Sequence, residues 1–447
     1  MMKNQSRSRK LTLLPLVAAT YFMVSGGPSG IEEIVQDSGY KLALVILCLT
    51  PLVWSLPTSL MVGELSAAIP AEGGFYVWVR RAMGRFWGFQ EAWLSLAASL
   101  FDMASYPALF VLSLARLWPA ANEGHNGTFI AAGVILACVL WNLFGSRAVG
   151  NGSILLGTLL LSPFVVIIAA ALFRHGSLHD ATATTASHNG WIAAVIIAMW
   201  NYMGWDNAST VASEVENPQK TYPRVMMLAL AAIVISYVVP VVAVWSTHIQ
   251  PGFWSEGSWA SIASLLGGPW LGMALVIGSM ISTFGIVNSL TMSYSRLPVA
   301  MAEEGDLPQI FARKLKNGTP WSSIAICGLA WTGVVFALGT DLDRLVLLDI
   351  LLYGTSLVLE FVALVVLRLR EPLLSRPFTV PGGLIGAILL GVGPTVMLVV
   401  AFVENRNERL RNISCLTLAL IFLAAGVLLY FLVKWLGKKK SLATTSP

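Results

Sequence analysis

Long apolar runs separated by short polar segments recur along the whole 447-residue chain. A helix needs roughly 20 predominantly apolar residues to cross a bilayer. Twelve segments meet this requirement, so the pattern predicts an all-α integral membrane protein with twelve transmembrane helices. The predicted spans are residues 11–36, 42–68, 86–117, 128–145, 148–173, 191–213, 225–248, 268–297, 321–340, 345–369, 382–403 and 413–435.

Two of these spans contain residues that interrupt a helix. In the first span, Gly26, Gly27, Pro28 and Gly30 lie within five residues, and in the sixth span Gly204 lies in a polar stretch. Glycine and proline are the least favourable residues inside helices. Non-helical backbone at membrane depth occurs where it lines a cavity or is buried in protein. We therefore predict two broken helices, with a local kink or a small-residue packing interface as the alternative for each.

The positions of the two breaks indicate an internal repeat. They fall in the first members of two consecutive groups of five spans, and an odd group size makes the second group enter the membrane from the opposite side. Secondary transporters with inverted repeats place their substrate site at such paired breaks. We predict a five-plus-five inverted repeat with broken helices 1 and 6. Its parts are a cytoplasmic N-terminal tail (1–10), a first repeat (11–173), a second repeat (191–369), helices 11 and 12 (382–435) and a cytoplasmic C-terminal tail (436–447).

The composition and the placement of basic residues support a membrane protein with both termini inside. Hydrophobic residues make up 56% of the chain and charged residues 11%, against roughly 25% charged residues in soluble domains. This excludes a soluble enzyme and a disordered protein. With cytoplasmic termini, the inner loops and tails hold three quarters of the 28 Lys and Arg residues, as the positive-inside rule requires. The basic residues form no nucleic-acid-binding stripe, so we predict a multi-pass protein of the cell membrane.

Two motifs after these spans resemble loops of a known superfamily. They are the run IPAEGGFYVWV from Ile69 to Val79 and the run SEVENPQKTYP from Ser213 to Pro223. Both are similar to cytoplasmic loops of the amino acid/polyamine/organocation superfamily, and the resemblance covers nearly the whole chain. Within it, the chain most resembles the polyamine uptake transporters of plants and protozoa, a branch related to the L-type amino acid transporters. That finer resemblance rests on Ser25–Pro28 with Gly30, Glu32 and Glu33, on Phe86–Gln90, on Asp102 with Tyr106 and Pro107, on Trp205 and Asp206, on Glu360–Ala363, and on Arg376–Phe378 with Pro381.

The resemblance implies secondary active import of a small cationic amine such as putrescine or spermidine, or of an amino acid, by alternating access. It implies proton coupling. The five scattered histidines offer no nucleophile, base or metal constellation, so we expect no enzymatic activity. Some relatives place a lysine in the fifth span as a stand-in for sodium, but residues 148–173 contain no Lys or Arg. Sodium coupling therefore stays open. The alternatives are a neutral or basic amino acid permease, coupled to protons or sodium or working as an exchanger, and, from a different class, a channel.

Acidic residues are frequent in and beside the spans, whereas Lys and Arg such as Arg116, Arg296 and Arg368 fall at outer turns. An ionised acid inside a span is unfavourable by at least ~2.5 kcal/mol unless it is paired or protonated. The interior is therefore suited to a cationic substrate or a coupling ion. Asp102 lies near the middle of the third span, with Glu91 three turns earlier on nearly the same face. The acids considered are Glu32, Glu33, Glu64, Glu91, Asp102, Asp206, Glu214, Asp349 and Glu360.

The candidate site combines the two breaks with these acids and nearby aromatic rings, which could cover an ammonium group by cation–π contact. For Asp102 the alternative is a structural acid, for Asp206 a helix cap, and for Glu360 an ion pair with Arg368. We expect gate or loop ion pairs between the acids Glu64, Glu72, Glu214 and Glu216 and the bases Arg80, Arg81 and Arg224. The substrate-binding candidates are Ser25, Gly26, Gly27, Gly30, Glu33, Asp102, Tyr106, Tyr202, Gly204, Trp205 and Asp206. The coupling or gate candidates are Glu91, Glu214 and Glu360.

The sequence predicts no cofactor and no metal. It contains no phosphate-binding Gly-x-x-x-x-Gly-Lys-Ser/Thr run, so we expect that ATP does not drive transport. Of the five histidines, His175 and His179 are four residues apart but lie in a polar loop. The predicted partners are the small-molecule substrate, a proton or sodium ion and the lipid bilayer.

Overall fold

The structure is a computed structural model that describes residues 10–173, 190–338, 342–410 and 413–444. It is built from helices, as predicted. The α-helices are α1 (Leu13–Val24), α2 (Glu32–Thr50), α3 (Leu56–Ala68), α4 (Phe75–Met83), α5 (Arg85–Ala115), α6 (Asn126–Asn142), α7 (Ser146–Phe173), α8 (Trp191–Asn201), α9 (Pro218–Trp245), α10 (Trp259–Gly267), α11 (Pro269–Tyr294), α12 (Arg296–Glu303), α13 (Trp321–Leu338), α14 (Leu342–Arg370), α15 (Gly383–Glu404) and α16 (Cys415–Thr444). A short antiparallel hairpin, β1 (Arg409–Leu410) and β2 (Ile413–Ser414), precedes α16.

Eight helical stretches of the described residues are long and apolar enough to cross a membrane. They correspond to eight of the predicted spans. Three further predicted spans contain shorter apolar helices, Leu13–Val24, Asn126–Asn142 and Trp321–Ala337. The sixth predicted span contains α8 and a 3₁₀ turn, Trp205–Thr210. The all-α membrane fold is confirmed, and the number of twelve spans stays a prediction.

The first predicted span does not continue as one helix to residue 36. Helix α1 ends at Val24, and α2 begins at Glu32 and leads into the second predicted span. Between them the chain is non-helical, with positive φ angles of 79° at Gly27 and 98° at Gly30. Such angles are accessible to glycine without steric penalty. The glycines that predicted the break are therefore the residues that form it.

The second break lies where the sequence predicted it. Helix α8 ends at Asn201, Gly204 adopts a φ of 97°, and the 3₁₀ turn follows. The two breaks also lie against each other, because Asn201 Nδ2 donates a hydrogen bond of 3.0 Å to the carbonyl of Gly30. Both broken helices predicted from the sequence are confirmed.

The beginning of α1 and the later part of α16 lie on one side of the molecule, which we call the terminal side. Leu11 N donates to the carbonyl of Glu214 at 2.9 Å. On α16, the Tyr430 ring packs edge-to-face on Phe86, which lies in the first turn of α5. Several loops that the sequence assigns to the cytoplasm meet on this side. Its identity as the cytoplasmic side stays a prediction.

Candidate functional site

A cavity of about 780 Å³ opens on the side opposite the terminal side. Its rim includes Arg116, just after the end of α5, and Glu404, the last residue of α15. Its deeper wall is formed by the first break and by α8, whose Trp200 and Asn201 contribute to the lining. We call this space the wide cavity. The predicted binding residues that line it are Gly26, Gly30, Glu33 and Tyr106.

The wide cavity carries an excess of acidic side chains. Of its described lining residues, Arg116 is the one Lys or Arg, and its guanidinium donates hydrogen bonds to the carbonyl oxygens of Glu256 and Gly257. A cavity with low-dielectric walls and one sign of charge concentrates counter-ions. The wide cavity is therefore suited to cations. Its acidic residues are Glu32, Glu33, Asp37, Glu256 and Glu404.

Side chains hold the backbone of the first break in place. Ser25 Oγ accepts a hydrogen bond of 3.0 Å from Gly27 N and lies 2.7 Å from the hydroxyl of Tyr237. Glu32 Oε2 accepts from Gly30 N at 2.5 Å. These bonds satisfy polar groups that a continuous helix would have paired internally. Ser25 therefore positions the break, and it is not among the lining residues of the wide cavity.

Behind the wide cavity lies a smaller space, the inner pocket, of about 10 Å³. That volume is close to what one water molecule needs. Asp102 lines it, and its Oδ2 accepts a hydrogen bond of 2.8 Å from Tyr294, while its Oδ1 has no hydrogen-bond partner among the described residues. Asp349 also lines the pocket, and its Oδ2 is unpartnered. The inner pocket therefore has spare acceptors for the N–H groups of an ammonium ion or for protons.

Tyr106 lines both the wide cavity and the inner pocket. Its ring stacks on Trp200, with centroids 5.6 Å apart and planes 10° apart. The ring thus lies between the space that is open and the space around Asp102.

Asp206 lies directly after the second break and holds it through Tyr353. The hydroxyl of Tyr353 donates to Asp206 Oδ1 and accepts a hydrogen bond of 3.0 Å from Gly204 N. Asp206 is buried and lines neither the wide cavity nor the inner pocket. These contacts favour the structural interpretation of Asp206 in this conformation.

Three other predicted binding residues are enclosed by packing. The hydroxyl of Tyr202 donates to the carbonyl of Leu47 at 2.9 Å, and Trp205 Nε1 donates to the carbonyl of Tyr202 at 2.9 Å. A Cβ added at Gly27 would lie 3.0 Å from the side chain of Leu160. None of the three is among the lining residues described for the two spaces. Their part in substrate binding stays a prediction.

Ion pairs close the terminal side, but in the part of the chain that the structure describes they use partners other than the predicted ones. Glu214 pairs with Arg296 at 3.0 Å, Glu72 with Lys314 at 2.9 Å, and Glu64 with Arg368. The expected partners Arg80 and Arg81 bind other acids instead, Asp306 at 2.7 Å and Glu371 at 2.6 Å respectively. The specific pairing was wrong, because Arg296, Lys314 and Arg368 are distant in sequence from the acids that they bind and are brought to them by packing.

Two of these acids show how the pairs affect protonation. Burial by itself raises the pKa of Glu214, but the charge and hydrogen bond of Arg296 hold that pKa below its usual value. Hydrogen bonds from Arg81 likewise lower the pKa of Glu371. Both carboxylates therefore stay ionised and paired at neutral pH.

The alternative considered for Glu360, an ion pair with Arg368, is not formed, because Arg368 is bound to Glu64. Both carboxylate oxygens of Glu360 are buried, and no described residue forms a hydrogen bond with them. Glu91 lies between α5 and α14, where its Oε1 accepts a hydrogen bond of 2.9 Å from Ser356. Neither acid lines the wide cavity or the inner pocket.

Sequence reasoning missed three tyrosines: Tyr237 at the first break, Tyr353 at the second and Tyr294 on Asp102. Single aromatic residues are common in spans and carry no signal on their own. One signal was present for Tyr353, which lies four residues after Asp349 and so on the same helix face. Both residues line the inner pocket.

Comparison with known proteins gives consistent results. The sequence profile of the family described as amino acid permease matches residues 17–426. The chain is 33% identical over 422 residues to the polyamine transporter RMV1 of Arabidopsis thaliana, covering 94% of this chain and 86% of that protein. It is also 33% identical to the polyamine transporter PUT1 of Oryza sativa subsp. japonica, covering 97% and 80% respectively.

More distant similarities extend to other transporters. The serine/threonine exchanger SteT of Bacillus subtilis is 27% identical, covering 74% of this chain and 76% of that protein. The crystal structure of MhsT in complex with L-phenylalanine superposes with a TM-score of 0.62, covering 89% of this chain and 100% of that chain. At 14% sequence identity this likeness shows the fold alone.

Proposed function

Because the chain belongs to the amino acid permease family, a family of membrane transporters for amine or amino acid substrates, we propose that it imports a small polyamine such as putrescine or spermidine, driven by protons. The observation that carries this proposal is the wide cavity, which reaches the first break and has five acidic lining residues against one arginine. A polyamine carries two or more ammonium groups. An acidic cavity attracts such a substrate more strongly than a neutral one.

In the proposed path, the substrate passes from the wide cavity to the inner pocket. Asp102 has a free acceptor oxygen there and lies next to the second break, since Gly204 lines the same pocket. In the proposed binding site, Asp102 takes one ammonium group, and backbone carbonyls at the breaks take part of its remaining hydrogen bonds. Tyr106 separates this position from the wide cavity, so substrate entry would require its ring to move.

The distribution of open and closed regions supports alternating access. The wide cavity is open on one side, whereas ion pairs such as Glu214–Arg296 close the terminal side. In the proposed cycle, substrate binding at the breaks is followed by rocking of one helix group against the other and by opening of these pairs. We propose that the terminal side is cytoplasmic and that the protein lies in the cell membrane.

Proton coupling is proposed from the buried acids, because a carboxyl group that has no basic partner can carry a proton through the cycle. Sodium coupling is the alternative to be tested. Relatives named as polyamine transporters support a polyamine substrate, and SteT, named as a serine/threonine exchanger, is the reason to test amino acids as well.

The test is uptake into proteoliposomes of labelled putrescine, spermidine, arginine and leucine under an imposed pH or sodium gradient. We expect accumulation of the two polyamines in sodium-free buffer when the outside is acidic. Uptake of leucine but not of polyamines would replace the proposed substrate with a neutral amino acid. Uptake that follows sodium and ignores the pH gradient would replace the proposed coupling ion. Fluxes above about a million ions per second, which is more than one ion per microsecond, would exceed the rate of a carrier that must complete a domain motion of microseconds to milliseconds for each cycle, and would indicate a channel.

A further inference from the structure

Four polar side chains form a stripe along α14. Asp349, Tyr353, Ser356 and Glu360 are spaced by four, three and four residues, which places them on one face of a helix. The first two line the inner pocket. The stripe therefore starts at the candidate substrate site and leads away from it, toward Arg368 and the terminal side.

The far end of this stripe faces two polar residues of α5, Glu91 and Ser95. Ser356 Oγ donates to Glu91 Oε1 at 2.9 Å and lies 3.0 Å from Ser95 Oγ. Ser95 Oγ lies 3.2 Å from Glu91 Oε1. Two serines and one glutamate thus form a compact hydrogen-bonded group between the two helices, one turn from Glu360.

The two glutamates of this region have unused acceptor atoms in a fully buried position. Both are 0% exposed, and within the described ranges no hydrogen-bond partner reaches Glu91 Oε2 or either oxygen of Glu360. Leaving a buried carboxylate oxygen unpaired is strongly unfavourable, and the penalty is removed when the group binds a proton or a cation. These atoms therefore point to a bound ligand rather than to a purely structural role.

The charged groups around Glu360 do not neutralise it. In the part of the chain that the structure describes, neither Glu91 nor Glu360 takes part in an ion pair, and Arg368, two turns further along α14, is bound to Glu64. The charged groups that act on Glu360 are Glu91 from α5 and Asp206 from the 3₁₀ turn after the second break, and both are acidic. The described residues also contain no cluster of three or more His, Cys, Asp or Glu that could hold a metal ion.

Resting on the proposed function, we propose that Glu360, together with Glu91, binds the coupling proton at a site separate from the substrate pocket. In the state with the open wide cavity, a hydronium ion gives its proton to the Glu360 carboxylate, which becomes a neutral carboxylic acid. When the terminal side opens, that acid returns the proton to water there and becomes a carboxylate again. Tyr353 provides the connection to the substrate site. It lies one turn from Ser356 and binds both Asp206 and Gly204 N at the second break.

The experiment separates substrate movement from proton coupling by using Glu360→Gln, which mimics the protonated carboxyl group. Proteoliposomes are clamped at zero membrane potential and given either equal polyamine on both sides, to measure exchange, or a pH difference of one unit. We expect exchange within about twofold of the parent. In the parent, one coupled proton can raise substrate accumulation about tenfold per pH unit. We expect this pH-driven accumulation to vanish in Glu360→Gln. Substrate-induced proton uptake, measured with an internal pH dye, should vanish with it.

The matched control is Glu216→Gln. Glu216 is exposed on the terminal side, and the ion pair expected for it from the sequence is not formed among the described residues, so this variant should behave like the parent in both assays. Glu91→Gln provides a second variant and should reduce pH-driven accumulation in the same way, and it decides the matter if Glu360→Gln does not fold. Thermal unfolding of each purified variant shows which ones fold.

Accumulation and proton uptake at the parent level in both Gln variants would overturn the proton site. Equal loss of exchange and accumulation in a folded variant would also overturn it, because it would place Glu360 in substrate movement. Accumulation driven by sodium in the parent, and lost in Glu360→Gln, would replace the proton with sodium. If the parent carries no polyamine, the proposed function fails instead, and the same comparison with the amino acid that it carries still tests the proton site.

Discussion

The backbone of Gly204 lies against the backbone of Met23, so that the two broken helices touch where both are interrupted. A Cβ added to Gly204 would come within 2.4 Å of the Met23 carbonyl oxygen. Real Cβ atoms do not approach backbone this closely, so one break would have to move. The contact fixes how closely the two halves of the candidate site can approach.

We therefore predict that Gly204→Ala reduces uptake by about tenfold or more. The control is Gly305→Ala, because Gly305 also has a positive φ, 77°, but nothing lies within 4 Å of its added Cβ. An alanine at positive φ is unfavourable by roughly 1–2 kcal/mol in both variants, so the difference between them isolates the contact. Uptake and thermal unfolding are measured on both variants. Equal uptake by Gly204→Ala and Gly305→Ala would show that transport does not depend on the contact between Gly204 and Met23.

Replacing Asp102 by asparagine should weaken polyamine binding. The change keeps the size of the side chain and an acceptor for Tyr294 but removes the negative charge from the inner pocket. We expect the apparent affinity for spermidine to fall by about tenfold or more, equivalent to roughly 1.4 kcal/mol or more. A neutral amino acid, if it is carried, should be affected far less. Competition uptake measures both, with Glu216→Gln as control, and parent-like spermidine affinity would make Asp102 a structural residue.

Neutralising acidic residues at the rim of the wide cavity should raise the KM for polyamines, and more so for polyamines of higher charge. Glu256 and Glu404 are exposed and line the cavity, so Glu256→Gln with Glu404→Gln removes two charges without disturbing buried contacts. We expect a several-fold rise in KM at low ionic strength, larger for spermidine than for putrescine. The effect should disappear near 1 M salt, where the Debye length is about 3 Å. An effect that ignores both substrate charge and salt would contradict electrostatic attraction by the cavity.

Breaking the Glu214–Arg296 pair should destabilise the closed terminal side. The Arg296 side chain is 0% exposed and that of Glu214 is 28% exposed. Removing one partner of a buried pair is unfavourable by about 3 kcal/mol or more, because the other charge stays buried without compensation. We expect Glu214→Gln to lower the unfolding temperature in detergent, whereas Glu216→Gln should leave it unchanged.

The same pair gives a pH dependence. The pKa of Glu214 in the folded protein lies below its usual value, so its stabilising effect is complete above the unfolded-state pKa of about 4.3 and is lost as the pH falls through the lower folded-state pKa. The difference in unfolding temperature between the parent and Glu214→Gln should therefore be constant from pH 8 to about 5 and close at more acidic pH. A gap that closes between pH 8 and 6 would contradict this assignment.

Much of the architecture follows from the sequence alone. Apolar runs of sufficient length predict spans because every backbone polar group in hydrocarbon must be paired within a helix. Glycines that accept positive φ predicted both breaks, and Gly27, Gly30 and Gly204 adopt such angles. The surplus of acids within spans indicated a preference for cations before any cavity was visible. These features are local, or follow from composition, and so they can be read along the chain.

Side-chain partners and cavities could not be derived in this way. Arg368 pairs with Glu64, 304 positions away, and Asp102 is bound by Tyr294, 192 positions away. Such contacts depend on which helix faces pack together. Packing also separated the candidates: Tyr106 lines the wide cavity and the inner pocket, Asp102 lines the inner pocket, and Tyr202 and Trp205 are enclosed. The reason is physical: in a bilayer nearly every span presents apolar residues on all faces, so periodicity hardly specifies neighbours, and only the packed structure shows which polar atoms are left without a partner.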